Sequence, residues 1–218
     1  MAQLSKRLSV ALRFLKGITV LADIGCDHGY LPIEAVKSKM VKQAVASDNK
    51  IGPLQKAIEN IEKAGLNDQI ETQCAEGLSA LSNKVDGISI LGMGGEQIVK
   101  ILSEGKTESI NVLVLGPNSE AGAVRFWLQN NGFLIDDEAF VKDHRHYYQI
   151  IRAIKGEMNL DYQEMQFGPI NIIRQDSLML EYVNYEIHKL EEAMKLSSSS
   201  IKKTEIIDKI AKLKGVFR

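Results

Sequence analysis

Cysteine is scarce in this chain. Cys26 and Cys74 are its two thiols, and they form neither a C-x-x-C pair nor part of a Cys/His cluster. A structural disulfide and a zinc site therefore both lack support, and no metal is expected. Net charge is also small, −1 over 218 residues. There is no global attraction to nucleic acid or to a membrane, so any nucleic-acid site has to be a local patch. Long hydrophobic runs are missing. No stretch approaches the roughly 20 apolar residues that cross a bilayer. Leu4 to Lys16 alternates charge with leucine instead of showing the charged-then-apolar layout of a signal peptide. A cytoplasmic protein with no membrane partner is expected. The chain has no G-x-x-x-x-G-K-[ST] loop, no serine, histidine and acid arrangement for acyl transfer, and no internal repeat. Its one low-complexity run is four serines, Ser197 to Ser200.

What remains is ordinary globular material, 44% hydrophobic and 25% charged, enough for one α/β domain and a small appendage. Leu4, Leu8, Leu12 and Leu15 share a helical face, with Lys6, Arg13 and Lys16 on another. That second face is either a solvated surface or a basic platform for phosphates. Strands are expected at Ile18–Asp23, Lys42–Asp48, Gln69–Glu76, Val85–Leu91 and Asn111–Leu115. Helices are expected at Leu31–Lys39, Gly52–Ala64, Gly77–Leu81, Glu96–Ser103 and Ala121–Asn131. Such alternation predicts a doubly wound, largely parallel sheet with helices on both faces. Phe133–Val141 and Tyr147–Ala153 read as an antiparallel pair at one sheet edge. From Lys155 to Pro169 the chain is polar and irregular. Leu180, Val183, Ile187, Leu190 and Met194, then Ile206, Ile210, Leu213 and Phe217, step by three and four, which suggests an antiparallel helical hairpin.

The chemistry concentrates where strands end. Asp23-x-Gly25-x-Asp27-x-Gly29 is a variant of the acid-and-glycine loop of nucleotide-binding folds. Aspartate occupies the slot of the middle glycine. A carboxylate there repels a pyrophosphate and suits a ligand with a cationic amino-acid end, such as S-adenosylmethionine (SAM), whose ammonium and sulfonium Asp23 or Asp27 could face. The structural alternative is a strand–turn–helix corner with a capping aspartate. Asp48 lies near the spacing at which an acid after the second strand grips a ribose diol. Glu76, with Gly77 behind it, ends the third strand, facing either an adenine amine or solvent. Three acids thus close the first three strands, at the edge where open α/β sheets bind ligands. Gly92-Met93-Gly94-Gly95 lets backbone approach a ligand or a flat base, or simply turns. Asn118, after Pro117, could read an adenine edge or initiate a turn. His144, Arg145, His146, Tyr147 and Tyr148 form a polar-aromatic cluster, suited to stacking and phosphate contact or to a plain hairpin tip.

Taken together, L-S-K-R-L at Leu4–Leu8, A-D-I-G-C-D-H-G-Y-L-P at Ala22–Pro32, G-P at Gly52-Pro53, G-M-G-G, P-N, W-L at Trp127-Leu128, G-F at Gly132-Phe133 and F-G-P at Phe167–Pro169 resemble the bacterial tRNA adenine-22 N1-methyltransferases. The resemblance implies a Rossmann-like class I methyltransferase domain over residues 1–155 and a helical, tRNA-binding hairpin over residues 156–218. It implies SAM as cofactor, contacted by Asp23, Gly25, Asp27, His28, Asp48, Glu76, Gly77, Gly92, Met93 and Gly94. It places the substrate adenine beside His28, Tyr30, Met93 and Asn118, with Asp27, His28, Tyr30 and Asn118 as the catalytic set. The implied partner is tRNA in its D-arm region, with no obligatory protein partner. Gly116 stands where the family commonly has glutamine, Gln149 where a glutamate is usual, and Glu76 where aspartate or asparagine is common. Other readings are a SAM enzyme with another RNA position or a small molecule as substrate, a nucleotide-dependent oxidoreductase, and a non-catalytic RNA-binding module. Asp27 within the loop disfavours the oxidoreductase.

Overall fold

In the computed structural model the described residues are 4–79, 81, 84–144, 146–196 and 199–217, with Phe217 described by its backbone alone. Among these residues seven strands occur, β1 (Val20–Ile24), β2 (Gln43–Asp48), β3 (Ile70–Cys74), β4 (Gly87–Leu91), β5 (Val112–Gly116), β6 (Phe133–Asp143) and β7 (His146–Lys155). They form one sheet in the order β3-β2-β1-β4-β5-β7-β6. β1 to β5 are parallel, and β7 pairs antiparallel with both β5 and β6. The alternation of strand and helix read from the sequence is realised except between β3 and β4, and the antiparallel pair is present. Because β1 and β4 are neighbours while β2 and β3 lie on the far side of β1, the strand order reverses there. Open sheets of this kind bind ligands at that point.

Helices α1 (Lys6–Phe14), α2 (Tyr30–Lys37) and α3 (Ile51–Ala64) cover one face; α4 (Gly95–Glu104) and α5 (Ala121–Asn130) cover the other. The central strands are buried on both faces, which is why Ile88, Ile90, Leu113, Val114 and Leu115 form near-continuous apolar runs. α1 enters by the Ser5 cap, whose side chain accepts from the Leu8 amide. Ala11, Phe14 and Leu15 bury, while Lys6, Arg13 and Lys16 remain exposed. The end of α1 is tied to the sheet by Arg152 of β7, which donates to the carbonyls of Phe14 and Lys16 at 2.9 and 2.8 Å and pairs with Asp136. α1 is thus held beside the sheet edge rather than left as a free arm.

The third strand departs from the expected pattern. It stops at Cys74, and Cys74 and Glu76 are both exposed. β3 is an outer strand, so only Ile70 among its alternating residues reaches full burial. Gly77 to Ser79 form a turn rather than a helix, with the Ser79 amide donating to the Glu76 carbonyl; Ala80 lies outside the described residues.

Beyond Lys155 the polar stretch is not irregular throughout. α6 (Tyr162–Phe167) starts at Asp161 in a reciprocal capping box with Glu164, and α7 (Pro169–Ile173) follows at once. Both pack on the sheet domain through a buried ion pair. Arg125 on α5 donates to Glu138 on β6 at 2.8 Å, with neither side chain exposed. Arg125 also donates to the carbonyls of Met165 and Gln166 and to Gln149 Oε1. Glu138 Oε1 accepts from the amides of Ile170 and Asn171, at the start of α7. Gln149, the departure from the usual glutamate, leaves Arg125 paired with one carboxylate instead of two.

The helical hairpin itself is α8 (Ser177–Leu196) and α9 (Ser200–Lys214), ending in a 3-10 turn at Gly215–Phe217. Val183, Ile187 and Ile210 of the expected seam are buried; Leu180, Leu190, Met194, Ile206 and Leu213 are half-buried. Met179, outside the seam as read, is fully buried beside Phe140 and Phe167. The seam thus continues onto β6 and α6. Ser197 and Ser198 lie outside the described residues.

Candidate active site

The loop after β1 is drawn towards β2. The amides of Gly25 and Cys26 both donate to the Ser47 carbonyl, at 2.8 and 3.0 Å, and the Gly29 amide closes back on the Cys26 carbonyl. Gly25 has φ +72°, and a Cβ there would stand 2.3 Å from Met93 Cε. The G-M-G-G turn therefore packs against this loop. Asp27 adopts φ +52°, a left-handed conformation that non-glycine residues enter at a cost, aspartate less than most. This is the slot that glycine holds in dinucleotide loops. Its side chain is 70% exposed and lies 3.7 Å from His28 Nε2. The Cys26 thiol is buried, and desolvation pushes it up, away from thiolate chemistry.

Asp48 ends β2 as a buried carboxylate. Its Oδ2 accepts from the Asp27 amide at 3.3 Å, and Oδ1 from the Lys50 amide at 2.9 Å. Each oxygen keeps a lone pair for a further donor. Asp23, one residue before the end of β1, is buried too, and accepts from Ser89 Oγ of β4 at 2.6 Å. Burial raises its carboxyl to about 6; the Ser89 hydrogen bond opposes the rise, and the nearby Asp48 charge adds to it.

G-M-G-G and P-N form one unit. The Gly92 amide donates to Gly116, the Asn118 amide to Met93, and the Gly95 amide to Ser119, at 2.8 to 3.0 Å. A Cβ on Gly95 would lie 2.3 Å from the Glu120 carbonyl, so glycine is needed for the two loops to touch. Asn118 Nδ2 donates to the Gly92 carbonyl at 2.7 Å, and its Oδ1 accepts from Arg7 at 3.2 Å. Gly116 is buried against Leu91 and Ile150; a Cβ there would meet Leu91 Cδ2 at 2.7 Å. The glutamine common at this position would need those side chains to repack.

These residues surround two clefts at the carboxyl edge of the sheet. The larger, about 570 Å³, is lined by Gly25, Asp27, Asp48, Glu76, Gly77 and Met93, among others. The smaller, about 70 Å³, lies across the loop and is lined by Arg7, Asp23, Asp27, His28 and Tyr30. Gly25 and Asp27 border both. His28 and Tyr30, with ring centroids 5.6 Å apart, line the smaller cleft and not the larger. Asn118 instead borders a groove of about 390 Å³ running towards the helical hairpin, with Phe140, Tyr147 and Tyr182 along it.

The polar-aromatic cluster splits by strand alternation. Tyr147 faces the hairpin, donating to Glu181 and lying near the rings of Tyr182 and Tyr185. Tyr148 faces α1, under the Arg7 guanidinium. His144 and His146 are exposed, and Arg145 lies outside the described residues. Three further residues reach the edge, each from a different element: Arg7, Ser89 and Asn60, which donates to the His28 carbonyl at 2.9 Å. Ser89 and Asn60 belong to no motif. Arg7 lies within L-S-K-R-L, but that motif does not by itself place it beside Asn118.

The family model described as tRNA (adenine(22)-N(1))-methyltransferase matches residues 21–215. The chain belongs to this family. A relative from Bacillus subtilis, tRNA (adenine(22)-N(1))-methyltransferase, is 30% identical over 99% of this chain and 97% of its own. Among solved structures, Streptococcus pneumoniae Sp1610 in complex with S-adenosyl-L-methionine superposes with TM-score 0.92 at 34% identity, covering 99% of this chain and 100% of that one. TrmK of M. capricolum in complex with S-adenosyl-homocysteine gives TM-score 0.89 at 32% identity, over 100% of both chains. The enzyme is a SAM-dependent methyltransferase acting on N1 of adenine 22 of tRNA, with the Rossmann-like sheet of its family.

The larger cleft fits that cofactor. Its lining sets Asp27, Asp48 and Glu76 against Lys50 and Lys100, and the three acids suit a ligand bearing ammonium and sulfonium charges. Asp48 keeps two oxygens for a diol, and Met93 occupies the space where Gly25 lacks a side chain, closing one wall of the cleft. No group of three or more metal-ligating side chains occurs among the described residues. None of the described helices is long and apolar enough to cross a membrane.

Proposed function

We propose that methyl transfer takes place where the two clefts meet, at Asp27, with the cofactor in the larger cleft and adenine 22 of the D-arm region entering from the side of His28, Tyr30 and Asn118. The observation that carries this reading is that Asp27 and Gly25 border both clefts. On the cofactor side Asp48 accepts from the ribose hydroxyls, Glu76 and Gly77 flank the adenine of the cofactor, and Asp27 faces its cationic end, with the buried Asp23 behind the loop, on the side of the smaller cleft. Met93 closes the same side by packing on Gly25, carried there by the turn that Gly92 and Gly94 form around it. When bound, SAM supplies an electrophilic methyl group on a sulfonium.

Adenine N1 carries an in-plane lone pair, so no residue has to remove a proton before it attacks. The chain's task is placement. N1 lies on the Watson–Crick edge, so the base leaves its stack before it reaches the site. Tyr30 and His28 offer ring faces to the extruded base. Asn118 Oδ1 accepts from the exocyclic amine. The methylated base is a cation, and the Asp27 carboxylate stabilises charge as it develops. Residues 1–155 act as the cofactor-binding unit. Residues 156–218, with the exposed Lys6, Arg13 and Lys16 of α1, hold the tRNA by shape and phosphates. The deciding experiment is incubation of unmodified tRNA with labelled SAM, followed by mapping of the modified base. N1-methyladenosine at position 22 is expected. Methylation at another nucleotide, or of a small molecule alone, would refute the assignment.

A further inference from the structure

Arg7 belongs to α1, far in sequence from every glycine-rich turn, yet it ends at the catalytic edge. Its Nη1 donates to Asn118 Oδ1 at 3.2 Å. Its guanidinium carbon lies 5.0 Å from the Tyr148 ring centroid. A Cβ on Gly92 would stand 3.4 Å from its Nη2. The helix that carries it is anchored to the sheet through Arg152. Arg7 is thus held on several sides.

The consequence lies in the Asn118 amide. A primary amide has an accepting end and a donating end of nearly the same shape. Here the accepting end meets a guanidinium, which only donates, and the donating end meets the Gly92 carbonyl, which only accepts. Turning the amide over would set donor against donor and acceptor against acceptor. Oδ1 has two lone pairs, and Arg7 uses one of them. The second can accept from a 6-amino group. A freely turning amide would serve a 6-amino and a 6-oxo purine alike. One held by Arg7 serves the 6-amino purine.

We propose that Arg7 is a positioning residue that fixes the carbonyl end of Asn118 towards the substrate base and so makes the site selective for a 6-amino purine. The inference rests on the reading that Asn118 Oδ1 accepts from the adenine amine, and the test separates the two. Wild type, Arg7→Met and Arg7→Lys are assayed in single-turnover reactions on tRNA carrying either adenine or unsubstituted purine at position 22. Both bases keep the N1 lone pair, and only adenine has the amine. The wild type should favour adenine by about ten- to a hundredfold in kcat/KM. In R7M the ratio should fall several-fold towards unity, short of it because the Gly92 carbonyl still holds the donating end, while R7K, which keeps the donor, should hold most of the preference. In competition binding, tRNA with inosine at position 22 should gain on the adenine form in R7M, because an amide held by the Gly92 carbonyl alone turns its NH2 towards O6 more readily. This readout remains if R7M is too slow to assay, and a general loss of structure would not produce it. An R7M enzyme that keeps the wild-type ratio and the wild-type competition order would overturn the role of Arg7 alone. A wild type that does not distinguish adenine from purine would overturn the reading of Asn118, and the inference with it.

Discussion

Asp23→Asn tests the electrostatics of the cofactor edge most directly, because the wild-type carboxyl is buried and its environment is known atom by atom. Burial raises its carboxyl from 3.8 to about 6. The sign follows from linkage. Between about pH 4 and pH 6 the folded protein holds a proton on Asp23 that the unfolded chain has released, so folded-state stability falls as pH rises through that window. The full cost, about 2 pH units at 1.36 kcal/mol each, is about 3 kcal/mol above pH 7. Little solvent screening reduces it, since Asp23 is 5% exposed. Asparagine carries no such term. Urea denaturation of wild type and D23N from pH 4 to pH 8 should therefore show D23N gaining about 3 kcal/mol relative to wild type across that range. Titrating groups that do not feel the Asp23 charge cancel in the difference. Ser89→Ala removes the hydrogen bond that opposes the rise, and should move the midpoint of this difference to higher pH. A difference flat with pH would refute the account of Asp23 as an ion held against its desolvation. If the ionised form is the one that attracts the cofactor from behind the loop, SAM affinity in wild type should be about tenfold weaker at pH 5 than at pH 8, and D23N should lose that dependence.

Asp27→Asn keeps a residue that tolerates the left-handed conformation while removing the charge. If the cationic base comes within about 4 Å, the lost attraction lies between about 1 kcal/mol with full solvent screening and about 4 kcal/mol at a partly desolvated surface, so single-turnover methylation should slow by roughly five- to several hundredfold. Unchanged turnover would remove Asp27 from the chemistry, and a large drop in melting temperature would point to the loop instead. Arg125→Met strands a buried carboxylate on Glu138 and should destabilise the fold by about 3–5 kcal/mol, whereas R125M with Glu138→Leu should recover much of this; equilibrium denaturation measures both. Truncation after Asp176 leaves α6 and α7 on the sheet and should weaken tRNA binding more than SAM binding, as calorimetry with each ligand would reveal. Affinity for tRNA should fall steeply with salt despite the −1 net charge, and a flat salt response would argue against phosphate contacts.

Local pattern accounts for much of what the structure contains. Apolar runs and periodicity place the strands and helices because a strand's burial alternates, and a helix's burial steps, among neighbours along the chain. The acids Asp23 and Asp48 could be assigned to one edge because parallel strands in an open sheet end on the same side. Aspartate in a glycine slot was visible as an anomaly at Asp27, although its left-handed backbone was not. Where burial came from distant partners, local pattern failed. Cys74 alternates like a buried residue but sits on an outer strand with little to cover it. Met179 falls outside the heptad seam but meets Phe140 and Phe167. Adjacent tyrosines at 147 and 148 looked like one cluster, and the pleat sends them to opposite faces of the sheet.

Sequence by itself thus determined the class of fold, the glycine-rich and acidic loops at the ends of its strands and, through the motifs they form, the family. Tertiary structure decided which of those groups meet. Arg7 and Asn118 are 111 residues apart, and Ser89 and Asp23 are 66 apart. Neither pairing leaves a trace in either neighbourhood, because a side chain's hydrogen-bond partner depends on strand order and helix docking. The chain encodes the elements locally, and the orientation of the Asn118 amide emerges only when α1 packs against the edge that β4 and β5 form.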